Sequence, residues 1–192
     1  MKLLEDMIST YGEVRPGNVL KVDSFLNHQI DVKLVQKLGE ELYEAFKNDN
    51  ITKVLTIESS GIAIAMMTAL KFGVPMVFAK KRKTINLSDD VYTAPVHSYT
   101  NNRDYEVMVS KDYISKDDVL LIVDDFLANG CALRGLIDIA HRAGAAVAGA
   151  GIAIEKGFQG GGDVLRAEGL KIVSLAIIDK MTDDSLTFRK NG

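Results

Sequence analysis

The chain has 192 residues, 47% hydrophobic and 26% charged with 3 prolines, the size and balance of one folded domain rather than a disordered chain. A net charge of −3 excludes a generally basic nucleic-acid binder, and the single cysteine, Cys131, excludes an internal disulfide or a multi-cysteine zinc site. No run approaches the roughly 18 apolar residues of a spanning helix, and the start (Met1, Lys2, Leu3, Leu4, Glu5, Asp6) turns acidic with no cleavable apolar core, so no membrane association and a cytoplasmic location are expected.

Apolar residues at 3, 4, 7, 8 and 11 have helical spacing, closed by Gly12. Arg15, Pro16, Gly17 and Asn18 read as a turn, and 19–22 as a short strand. Asp31 is placed to cap a helix to about residue 48, with Val35, Leu38, Leu42, Ala45 and Phe46 on its buried face. Then come a β-rich run over 53–57, an apolar helix over 61–72 stopped by Gly73, and a strand over 74–79. Residues 94–99 and 105–110 look like an antiparallel pair around the polar turn 100–104. The five consecutive apolar residues at 119–123 fit a strand buried on both faces. A helix over 130–143, a Gly/Ala-rich strand over 147–154, a short helix over 163–168 and a strand over 172–178 complete the chain. The recurring strand–helix–strand units predict an α/β fold with a mostly parallel sheet and right-handed crossovers. Such sheets bind ligands beyond the carboxyl ends of their strands, which directs attention to the loops after 53–57 and 119–123.

The second of these loops carries the most chemistry. Residues 119–132 read VLLIVDDFLANGCA: a buried strand delivers Asp124 and Asp125 into a loop that ends at Gly130, where a helix begins. A helix N-terminus offers unpaired N–H groups to an anion, and glycine permits close approach. Two carboxylates beside an anion site suit a ligand with both hydroxyls and a phosphate, such as a ribose 5-phosphate. On spacing alone, the same acids also fit solvated loop residues or helix caps.

Four apolar residues, two acids, two apolar residues, then a small residue and a glycine opening a helix: this pattern resembles the signature of the type I phosphoribosyltransferases. The sequence departs from that signature at Asn129, where a hydroxyl residue is usual, and at Ala132, which lacks the terminal hydroxyl. The Ala128, Asn129, Gly130 variant, with 19–31, 57–62 and 154–158, is similar to the xanthine-using branch of the family, and the match extends over most of the chain. The resemblance implies a single domain over 1–192, with a core at about 35–155 and a small hood from 1–34 and 156–192. It implies transfer of a 5-phosphoribosyl group from phosphoribosyl pyrophosphate (PRPP) to xanthine, with Mg²⁺ carried by PRPP, no protein metal site, and a homodimer.

The resemblance also distributes roles. Asp124 and Asp125 are the expected catalytic pair, and Ala128, Asn129, Gly130, Cys131 and Ala132 the expected 5-phosphate loop. Ser59, Ser60 and Gly61 correspond to a pyrophosphate loop, although alone they read as a strand–helix turn with a capping serine. Lys80, Lys81, Arg82 and Lys83 are a charge run that by itself reads as a solvated edge; the family implies pyrophosphate binding, with Lys80 and Lys81 favoured. The 94–110 pair implies a flap that closes over PRPP. Leu20, Asn27 and Lys156 match base-contacting positions. A lysine donates to the carbonyls of xanthine, whereas without the family Asn27 reads equally as an Asx turn. Phe158 reads as a stacking partner of the base or as core.

Other features carry less. His28, His97 and His141 lack metal-ligand spacing. Cys131 has no histidine partner in the sequence to make it a nucleophile. No G-x-G-x-x-G turn follows the first strand, against a dinucleotide-binding domain. Two alternatives stay open: a PRPP- or purine-sensing regulator on the same fold, and a transferase preferring guanine or hypoxanthine.

Overall fold

The computed structural model describes residues 1–81, 90–98 and 103–189. The chain opens with helix α1 (Lys2–Tyr11), a hairpin of β1 (Glu13–Arg15) and β2 (Val19–Lys21), a π-helical turn (Asp23–Asn27) and helix α2 (Val32–Phe46). Asp31 caps α2 as expected, its Oδ1 accepting from the N–H groups of Lys33 and Leu34 at 3.0 Å each. Strand β3 (Lys53–Ile57), helix α3 (Gly61–Phe72) and strand β4 (Met76–Ala79) form one parallel unit. Strands β5 (Val91–Ser98) and β6 (Arg103–Ser110) form a separate antiparallel ribbon. Strand β7 (Val119–Leu127), helix α4 (Cys131–Arg142), strand β8 (Ala146–Lys156), helix α5 (Gly161–Ala167), strand β9 (Ile172–Met181) and strand β10 (Leu186–Phe188) follow.

Six strands make the central sheet in the order β10-β9-β8-β7-β3-β4, parallel except for β10. Alternation along the strands explains why 119–123 is apolar throughout. Val54, Leu121 and Val123 face one core with Leu38, Leu42 and Ile64 of α2 and α3. Leu55, Leu120 and Ile122 face the other, with Leu133, Leu136 and Ile139 of α4. The expected α/β architecture is therefore the observed one.

Several boundaries differ from the sequence reading. Strand β7 runs on to Leu127 because its ladder with β8 continues through Phe126↔Ile154 and Leu127↔Glu155; Asp124 and Asp125 thus lie on the strand end, not in a loop. Strand β8 likewise extends to Lys156. Strand β4 starts at Met76 rather than residue 74. Strands β9 and β10 widen the sheet beyond residue 155, so much of 156–192 belongs to the central layer rather than to a hood. Strand β1, the π-helical turn and β10 are too short or too polar to have announced themselves. Arg82, Lys83 and most of the 100–104 turn lie outside the described residues.

Candidate active site

Asp124 is buried, and its Oδ1 accepts from the Asp125 N–H at 3.0 Å. Burial pushes the Asp124 carboxyl well above the ordinary aspartate range, and the adjacent Asp125 charge adds to this. Burial raises Asp125 as well, while Lys81 pulls both back down. The N-cap position of α4 is Gly130, with no side-chain cap bond. Neither solvated acids nor helix caps describe this pair. It is a desolvated, interacting pair of acids at a strand end, the kind of group a cation or a developing positive charge relieves.

A cavity of about 570 Å³ opens above this strand end. Its walls include Asp124, the whole of Ala128, Asn129, Gly130, Cys131 and Ala132, and, from other elements, Leu20, Asn27 and Lys156. Nine of the expected site residues therefore share one space. Asp125, Ser59, Ser60, Gly61, Lys80 and Lys81 are not among its lining residues.

Two of those six, Gly61 and Lys81, nonetheless adjoin the dyad. A Cβ on Gly61 would lie 2.4 Å from Thr56 Oγ1 and 2.9 Å from Asp124 Oδ1, so only glycine lets α3 start against the carboxylate. The Lys81 N–H donates to Glu58 Oε1 at 2.7 Å, and its ammonium lies 5.7 Å from the Tyr105 ring centre. Lys81 thus links the 58–61 loop, the β5–β6 ribbon and the two acids. Lys80 is anchored through its backbone, whose N–H and C=O each pair with Met108 at 2.9 Å. Ser59 is exposed, and Ser60 makes no side-chain cap bond to α3, so neither acts as a capping serine. The Glu58–Ser59 peptide is cis.

On the opposite wall, Asn27 Oδ1 is buried with no hydrogen-bond partner among the described residues, which is not the geometry of an Asx turn. Lys156 is half-buried. Its Nζ donates to the Asn18 carbonyl at 2.7 Å and lies 5.6 Å from the Phe126 ring centre. Burial lowers its pKa. This is not a solvated strand-end lysine.

Phe126 lines the cavity, whereas Phe158 packs against the core instead. Strand period explains this, since 124 and 126 share a face once β7 is carried past the acids. Tyr105 and His97, from the ribbon, and Gln159 also line the cavity. Burial raises the Tyr105 pKa, with Asp124 adding to the shift, and His97 Nδ1 lies 2.6 Å from Asp104 Oδ1 across the ribbon. The flap reading directs attention to the aromatic residues of the ribbon, Tyr105 among them; His97 is brought to the cavity by the ribbon's pairing register and Gln159 by the 157–159 turn, neither signalled by residue type.

Residues 21–177 match the family model of the phosphoribosyl transferase domain. The chain belongs to this family. It is 52% identical over 192 residues to a xanthine phosphoribosyltransferase of Oceanobacillus iheyensis, across 100% of this chain and 99% of that one. It is 55% identical over 188 residues to one of Bifidobacterium adolescentis, across 97% of each. In structure it is similar to adenine phosphoribosyltransferase from Rhodothermus marinus, with TM-score 0.76 and 24% identity over 92% of this chain and 99% of that one. The enzyme of the same kind from Thermoanaerobacter pseudethanolicus has TM-score 0.74 and 20% identity over 91% and 98%. At these identities the structural likeness establishes the fold.

Proposed function

We propose that this phosphoribosyltransferase moves the 5-phosphoribosyl group of PRPP onto xanthine, giving xanthosine 5′-monophosphate and pyrophosphate. The observation that carries this is the cavity itself. One wall holds Asp124 of the acid pair and a glycine-opened helix start, and the other holds an unpartnered Asn27 oxygen and a lysine over an aromatic ring. The first wall suits a ribose phosphate, and the second a flat base with both donors and acceptors. Full-length identity above half to relatives named for xanthine supports the choice of base.

In this reading the N–H groups of 129–132, aided by the Asn129 amide, hold the 5-phosphate. Asp124 and Asp125 accept from the ribose hydroxyls. Ser59, Ser60, Gly61, Lys80 and Lys81 face the pyrophosphate. The C1–oxygen bond to pyrophosphate breaks, positive charge develops on the ribose ring, and a ring nitrogen of xanthine forms the new bond to C1. The dyad stabilises that charge. Among the described residues no group of three or more His, Cys, Asp or Glu side chains is placed to hold a metal ion, whereas the raised dyad suits a cation arriving on PRPP. Mg²⁺ on the substrate's phosphates supplies neutralisation of the departing pyrophosphate. Leu20, Asn27 and Lys156 receive the base, with the β1–β2 hairpin as part of a hood and the β5–β6 ribbon as a flap that excludes water. No described helix is long and apolar enough to cross a membrane; a reaction that consumes an activated sugar phosphate is the basis for placing the enzyme in the cytoplasm. The assembly we propose is a homodimer built on α3.

The test is release of pyrophosphate from PRPP with xanthine, guanine and hypoxanthine in turn, with the nucleotide product identified. Xanthine is expected to give the highest kcat/KM. Preference for guanine or hypoxanthine would transfer the reading to a sibling specificity. Binding of PRPP with no base-dependent release would make the protein a sensor.

A further inference from the structure

Glu155 is wholly buried, 0% exposed, and its position beside Lys156 gives it no contact with the cavity. Its carboxylate is gripped from one side by both arms of Arg166, Nη1 to Oε1 at 2.9 Å and Nη2 to Oε2 at 2.6 Å. Ser174 of β9 also donates to Oε2. A buried bidentate pair of this kind is held by geometry, and either partner alone is costly. Hydrogen bonding to Glu155 raises the Arg166 pKa.

Arg166 stands on α5, and what α5 touches gives the clamp its purpose. A Cβ on Gly161, the first residue of α5, would lie 2.3 Å from the Ala128 carbonyl oxygen, 2.4 Å from the Asn129 carbonyl carbon and 2.7 Å from the Gly130 nitrogen. The helix start is therefore seated, backbone on backbone, against the two peptides that lead into α4. Gly130 itself has φ +84°, and a Cβ there would meet Leu165 of α5 at 2.9 Å. Glu155 is the register partner of Leu127, the residue that precedes those peptides. The anchor, the clamp, the seat and the loop form a closed mechanical circuit.

We infer that Arg166 and Gly161 are positioning residues for PRPP: the Glu155–Arg166 clamp holds α5 so that Gly161 sets the backbone of 128–130 in its phosphate-binding shape. This rests on 128–132 being the 5-phosphate loop. Backbone N–H donors bind a phosphate only when several point at one spot, and displacements near 1 Å cost roughly 10- to 100-fold. Leu20, Asn27 and Lys156 lie on elements other than α5, so changes made on α5 are expected to fall on PRPP.

The experiment measures KM for PRPP, KM for xanthine, kcat and melting temperature in four variants. Gly161→Ala is expected to raise KM for PRPP by about 10-fold or more, with KM for xanthine within about twofold. Arg166→Lys keeps the charge but loses the fork; it is expected to raise KM for PRPP by a smaller factor in a folded enzyme, and it decides the matter if Gly161→Ala does not fold. Glu168→Gln, which cuts only the exposed ion pair from α5 to Arg134, is expected to change neither KM. Asn129→Asp places a negative charge in the loop itself and tests the underlying reading. If Asn129→Asp raises KM for PRPP while Gly161→Ala and Arg166→Lys do not, the loop reading stands and the positioning role is overturned. If Asn129→Asp leaves PRPP unaffected, the loop reading itself fails. If Gly161→Ala or Arg166→Lys lowers kcat and melting temperature with both KM values unmoved, the clamp is merely structural, which also overturns the inference.

Discussion

Asp124 faces the cavity directly, and its burial sets two opposed consequences of removing the charge. A carboxyl whose folded pKa is raised holds its proton more tightly in the folded state, so at neutral pH the ionised group weakens the fold. Asp124→Asn is therefore expected to keep or raise the melting temperature while lowering kcat. Loss of one charge-assisted hydrogen bond to the ribose is worth about 1.5–3 kcal/mol, roughly 10- to 150-fold; Asp125→Asn is expected to do the same, and wild-type turnover in both would remove the dyad from the reaction. The acid limb of kcat/KM for PRPP reports the free enzyme. It should fall as pH drops through a range above that of an ordinary aspartate, and the limb should change shape in Asp124→Asn. Lys156 poses a question of selection rather than rate. Xanthine offers a carbonyl where guanine carries an amino group and hypoxanthine nothing, and sites built around one hydrogen bond discriminate against analogues that cannot make it. Lys156→Ala should hurt xanthine far more than the other two bases in kcat/KM. Equal loss across the three would mean general support of the site, and no loss would mean that the base sits elsewhere.

At the level of elements, the carboxyl ends of β3, β7 and β8 carry the chemistry, whereas their amino ends carry stability. Asp118, just before β7, accepts from Lys53 Nζ at 2.8 Å, from Thr52 Oγ1 at 3.2 Å and from the Ser115 N–H at 2.8 Å. Burial would raise its pKa, but the Lys53 hydrogen bond and its other partners outweigh burial and leave it lowered. A depressed carboxyl contributes stability above its unfolded value and loses it as pH falls through the folded one. Asp118→Asn should cost about 1.5–3 kcal/mol at pH 7, with activity of the folded enzyme intact. In melts taken toward pH 3 the gap to wild type should close, and a gap that stays constant would deny the ion pair its role. The same division shows what could be read in advance. Helices α2 and α3 and strand β3 were legible because caps, stops and apolar periods agree along them. The ends of β7 and β8 were not, because Asp124, Asp125, Glu155 and Lys156 break the apolar pattern where the backbone ladder continues. Polar side chains at a strand's carboxyl end are the mark of a site, and they disguise the strand. The acid dyad and the 128–132 loop were visible as a motif. Phe126 and the Arg166 clamp were not, since register and long-range pairing bring them into place.

For the whole molecule, the open question is what covers α3. One side of this helix packs on α2, β3 and β7, burying Ile64, Ala65 and Ala69. The other side leaves Met66 50% and Leu70 74% exposed, one turn apart on one stripe. Phe78, on the sheet's edge strand β4, adds a third exposed apolar side chain on an element that α3 packs against. A twofold axis through such a face would bury each side chain twice, since an isologous contact is self-complementary. Four Met and Leu side chains at about 1.5–3 kcal/mol each give a gross gain of roughly 6–12 kcal/mol. That is comparable to the association cost of about 4–15 kcal/mol, so these residues can centre a dimer but need a wider contact of roughly 1,200 Å² or more to make it stable. Leu70→Glu should therefore act through both copies at once. Losing about 3–6 kcal/mol per dimer weakens association by roughly 10²- to 10⁴-fold. Sedimentation velocity at micromolar concentration should show a dimer for the wild type and a monomer for Leu70→Glu combined with Met66→Glu, with both chains folded. A wild-type monomer under those conditions would end the dimer proposal, and a doubly charged variant that stays dimeric would move the contact away from α3.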